Sequence, residues 1–156
     1  MRRFVVLSAS HAVALAVGFG LGVYLLPILT APDGPDSMTL QQSAANAVFS
    51  AELSRDLRGS DLLHWGEGRI SLTESQIIHE GRLAPGPDYR LYLVPEFVDH
   101  EDAFLPLKQT SLMVGPIDTF SGFIVDVPEG VNLSDYTTVL VWCEAFGEFI
   151  TAGRYR

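Results

Sequence analysis

Residues 4–29 carry no charged side chain, whereas Arg2 and Arg3 precede them and Asp33 and Asp36 follow. As a helix this run extends roughly 39 Å at about 1.5 Å per residue, longer than a bilayer's hydrocarbon core of about 30 Å. The pattern predicts a membrane-crossing helix, and an anchor over residues 1–31. Both flanking arginines lie on its N-terminal side, so the positive-inside rule puts the N-terminus in the cytoplasm and the rest of the chain outside. The topology expected is a single pass through the inner (plasma) membrane, with a periplasmic or extracellular domain. A cleavable signal peptide shares the basic start. Its apolar region is normally about 7 to 15 residues, however, and here Pro32 directly follows the small-residue end at Thr30 and Ala31. Length favours the anchor.

The rhythm then changes. Prolines, Asp and Gly at 30–37 break the helix and predict a short stalk. Leu40, Ala44, Ala47, Val48, Ala51 and Leu57 recur at helical spacing after a Thr39 to Gln42 capping-box pattern, which predicts an amphipathic helix over about 40–57. Stalk and helix together occupy 32–58.

From 59 to 156 the period shortens to two. Short alternating runs at 69–73, 76–83, 89–94, 112–114, 123–127, 137–143 and 149–155 are separated by turn residues, most emphatically Ala84, Pro85, Gly86, Pro87 and Asp88. About seven short strands predict a mainly β domain, an antiparallel sandwich or barrel. The connection at 95–105 breaks the rhythm and predicts a single helical turn. Gly66 and Gly68 read as a bulge or tight turn, since a phosphate-binding loop needs a third glycine and a following helix.

Charge narrows the partners. Once Arg2 and Arg3 are set aside, the ten basic residues of the 156-residue chain leave eight against nineteen acidic ones, which argues against nucleic acid or an anionic membrane surface as the main partner. Gly18 and Gly22 stand four apart in the apolar run, a spacing that lets two helices approach and form a homodimer. The expected partners are thus the membrane through residues 4–29, a second copy through Gly18 and Gly22, and a redox or other envelope protein.

Candidate chemistry centres on Cys143, the one cysteine, inside a β-branched and aromatic run. One cysteine forms no internal disulfide. A thiol works as nucleophile, electron donor or ligand as thiolate, which needs nearby positive charge, a helix N-terminus or a metal, whereas the neighbours here are Trp142 and Glu144. Three readings stand: a reactive thiol, a small buried packing residue, or a ligand to haem iron or another metal shared with a histidine such as His64. The cofactor expectation is therefore haem or none, and the absence of Cys-x-x-Cys-His excludes a covalently attached haem. Asp99, His100, Glu101 and Asp102 gather oxygen and nitrogen donors in one predicted loop where a hard cation could bind, although the calcium-loop signature is missing. No nucleophile elbow and no His-Glu-x-x-His zinc motif occurs, and no catalytic residue is assigned.

Three segments together resemble a known family. His64 through Gly68, Leu83 through Leu93 with its Gly-Pro-Asp turn before an aromatic strand, and Tyr136 through Phe146 with its Trp-Cys-x-x-Phe ending are similar to the DM-thirteen domain of Skeletor-type proteins. That family is described as an electron-transfer domain. The likeness covers 59–156 and implies a β-rich module in which Cys143 matches the proposed redox residue, acting as a bare thiol or through a haem-like group. The alternative function is a non-catalytic envelope binding or structural module in which Cys143 packs the core.

Overall fold

A computed structural model describes residues 1–156. The apolar run forms α1 (Arg2–Thr30), the one helix long and apolar enough to cross a membrane, with none of its residues buried by the rest of the chain. Gly18, Gly20 and Gly22 all face open space.

A second helix is shorter than its periodicity predicts. α2 (Ser37–Ala44) begins one turn early because Asp36, a better N-cap than an interior Thr, accepts from the amides of Met38 (2.9 Å) and Thr39 (3.0 Å). It ends before β1 (Phe49–Leu53), a strand where a helix through residue 57 is expected. The residues 49–53 satisfy two periods at once. Packing chooses period two, because Ala51 and Leu53 then face the core while the backbone completes a sheet edge against the next strand.

The seven expected strands are all present: β2 (Gly66–Leu72), β3 (Gln76–Leu83), β4 (Tyr89–Val94), β5 (Leu112–Ile117), β6 (Phe123–Asp126), β7 (Thr138–Cys143) and β8 (Glu148–Arg154). They form two antiparallel four-stranded sheets, ordered β1-β2-β3-β6 and β5-β4-β7-β8. β1 lies against β8 and β5 against β6, so the sheets approach at both edges, yet no ladder joins them. The fold is a sandwich and not a closed barrel.

Two apolar clusters hold it together. The larger lies between the sheets and includes Ile70, Leu72, Leu91, Val139, Val141 and Cys143. The smaller covers the outer face of the second sheet, where Phe104, Val98 and Phe149 enclose Trp142 and Tyr92. The connection after β4 supplies that cover. It contains α3 (Glu101–Phe104) followed by a 3-10 helix over Leu105–Thr110, slightly more than the single turn expected. β7 is buried along its whole length because both of its faces meet a cluster.

Gly66 and Gly68 lie within paired β2 rather than at a bulge or turn. Gly68 has φ +109° and stands directly opposite Gly81 of β3. A Cβ at Gly81 would overlap the Glu67 carbonyl oxygen and come within 2.9 Å of Gly68 Cα, so glycine on both strands permits this crossing.

Candidate functional site

Cys143 ends β7, paired with Tyr89 of β4 on one side and Glu148 of β8 on the other. Its side chain turns into the inter-sheet core and is 3% exposed. The turn between β3 and β4 then reaches over it. Pro87 offers its carbonyl oxygen to the thiol, which donates across 3.1 Å, while the Glu144 amide donates to the Asp88 carbonyl oxygen at 3.0 Å and ties the turn to the strand end.

Burial pushes the Cys143 thiol above its ordinary range. The Asp88 and Glu148 carboxylates push it further up, and the Ala145 and Phe146 amides only partly offset this. The sulfur is a neutral thiol at neutral pH. Tyr89 beside it is also held in its protonated form, by burial first and by the sulfur second.

A cavity of about 170 Å³ opens beside the sulfur, and His64, Tyr89, Phe146 and Glu148 share its wall with Cys143. Of the three histidines outside α1, only His64 lines this cavity. The sequence placed it just before the first sheet strand; the sheets bring it to the far end of β7. Its Nδ1 donates to the Asp61 carboxylate at 3.0 Å, which fixes the tautomer and leaves the Nε2 lone pair free. Asp61 also accepts from the amides of Leu63 and His64, at 2.7 Å each. Burial raises the Asp61 carboxyl, but the imidazole and these amides outweigh it and hold the group below its ordinary value.

His79 lies elsewhere. It points inward from β3 against Phe123, is fully buried, and donates from Nε2 to the Glu67 carbonyl oxygen at 3.0 Å, leaving Nδ1 without a partner. Burial depresses its pKa below the ordinary 6.5, and the bond to Glu67 only partly opposes that. The folded state therefore binds fewer protons than the unfolded chain in this range, so the stability His79 confers is present above pH 6.5 and lost as pH falls through its folded value. The thermal midpoint of the full chain is expected to drop from neutral pH toward pH 5, before carboxylates titrate near about pH 4. His79→Gln should flatten that slope; an unchanged slope would assign it to other groups.

The acidic loop does not gather its donors. His100 Nδ1 pairs with Asp99 at 2.7 Å, Glu101 and Asp102 begin α3, and no three or more His, Cys, Asp or Glu side chains converge here or elsewhere. The same connection contributes something the sequence did not reveal. Lys108 donates to Glu144 at 2.6 Å, Tyr92 donates to the same carboxylate, and the ammonium lies 5.2 Å from the Trp142 ring centre. Burial raises Glu144, yet Lys108 and Tyr92 hold it ionised, below its usual range. Only long-range folding joins 92, 108 and 144, so local spacing carries no signal of this network.

A haem does not fit beside Cys143. Sites that take small molecules commonly measure about 300 to 1,000 Å³, whereas this cavity is about 170 Å³. The sulfur is also a thiol engaged with a carbonyl, not a thiolate facing open space.

Fold and site together define a small antiparallel β-sandwich module, set behind an apolar helix, with a thiol and an oriented imidazole on one cavity wall. The sequence profile of the family described as Electron transfer DM13 matches residues 57–155, which contain every strand except β1; the chain belongs to that family. No curated protein and no solved structure matches the chain.

Proposed function

We propose that this protein is a membrane-anchored electron-transfer module with Cys143 as its redox group and His64 as the acceptor of its proton. α1 is the retained anchor, with Arg2 and Arg3 on the cytoplasmic side and the sandwich outside. The observation that carries the reading is the shared cavity: the sole cysteine and one Asp61-oriented imidazole line the same wall. A neutral thiol gives up an electron readily only with its proton. One electron passes to a one-electron oxidant in a partner protein, the S–H proton leaves the Pro87 carbonyl and crosses the shared cavity to His64 Nε2, and reduction reverses both. Burial suits such a centre, since an electron can leave without contact between the sulfur and the acceptor.

The test uses the full chain in detergent, with absorption spectra before and after dithionite, thiol titration, and a mediated redox titration. The expected result is a colourless protein whose thiol reacts slowly until unfolding, with a couple that disappears in Cys143→Ser and changes its pH dependence in His64→Gln. Unchanged redox behaviour in Cys143→Ser overturns the proposal. That outcome would favour a binding module in which Cys143 is core packing, a reading the 3% exposure and raised thiol pKa also support.

A further inference from the structure

The end of the sandwich nearest α1 exposes apolar side chains that nothing in the chain covers. Leu62 is 95% exposed, Leu63 56% and Phe146 54%, on the loops 61–64 and 144–147. Leu63 and Phe146 line the Cys143 cavity, and its opposite wall is Gly20, Val23 and Tyr24 of α1. A second hollow continues the approach, between Leu26, Pro27 and Thr30 of α1 and the turn residues Gly86 to Asp88. If α1 is the anchor, its depth sets the level of these loops. About 20 helical residues span the hydrocarbon core, and from Phe4 they run out at Val23, which puts Tyr24 in the interfacial zone that tyrosine favours. Leu63 and Phe146 line the same cavity as Tyr24, so they stand at its level.

We infer that the loops 61–64 and 144–147 seat in the outer interface of the bilayer that α1 spans, and that lipid covers Leu62, Leu63 and Phe146. This rests on the anchor reading. The carboxylates of both loops are already satisfied, Asp61 by His64 and two amides and Glu144 by Lys108 and Tyr92, so these two loops carry no unpaired carboxylate into the interface. The strongly acidic chain makes the attachment apolar rather than electrostatic; it requires no anionic lipid and resists salt. The cavity beside Cys143 then opens at the lipid boundary.

The experiment places the full chain in nanodiscs of zwitterionic phosphatidylcholine, plain or brominated on the acyl chain near the headgroup, and reads tryptophan emission above that of Trp65 and Trp142. Leu62→Trp and Phe146→Trp are expected to lose most of their added emission in brominated discs. Val48→Trp, 53% exposed at the opposite end of the first sheet, should keep its own. Phe19→Trp reports the anchor separately. If Phe19→Trp is quenched while Leu62→Trp and Phe146→Trp follow Val48→Trp, the anchor stands and the docking surface is overturned. If Phe19→Trp also escapes quenching, both readings fall.

Discussion

Trp142→Ala is expected to destabilise the sandwich by about 3–5 kcal/mol, the range for emptying a fully buried large aromatic site. Trp142 is completely buried in the outer cluster, 4.9 Å centre to centre from Phe104, and its neighbours are fixed by β4 and β8 on one side and the connection after β4 on the other. Such walls relax little, so the cavity persists. The loss is compounded because Phe104 and the Lys108 ammonium both rest against the indole and hold the connection down. Denaturant unfolding of the full chain in detergent, followed by far-ultraviolet circular dichroism, measures it. Cys143→Ala, one residue along but on the opposite face, removes far less volume and should cost about 1 kcal/mol. A Trp142→Ala cost near that smaller figure would mean the outer cluster is not a cohesive core.

Gly68→Ala ranks next. Two penalties coincide there: φ +109°, a region that residues with a Cβ rarely enter, and a Cβ overlapping the Glu80 carbonyl oxygen with Gly81 Cα at 2.6 Å. Backbone atoms cannot swing aside as a side chain does, so the β2–β3 ladder must part. Overpacking costs about 1–3 kcal/mol and a forced left-handed residue about as much again. Two companions separate the terms. Gly81→Ala meets the collision without a positive φ, and its Cβ would also come within 2.7 Å of His79 Nε2. Gly130→Ala meets φ +81° in open space. Thermal midpoints should fall most for Gly68→Ala; a Gly130→Ala loss of equal size would remove the collision argument.

Period-two runs made seven strands legible in the sequence, and the composition of residues 4–29 made the long helix legible. β1 was not, because Val48 and Ala51 fit a helical stripe as readily as Ala51 and Leu53 fit a strand, and only a waiting sheet edge decides between them. The early start of α2 was readable in principle, since Asp36 stands three residues before Thr39 and Asp is a strong cap. His79 was half legible: its place two residues from Ile77 in an alternating run puts both on one face, and that face proves to be the interior. That His64 and Cys143 line one cavity had no local signature. It depends on Trp65 and Ala84 joining ends across the first sheet and on Tyr89 pairing with Cys143 across the second.

The thiol's bond to the Pro87 carbonyl, inside a closed sandwich, also has a consequence for assembly. A folded chain offers a second copy no accessible sulfur, so a disulfide between two copies requires the sandwich to open first.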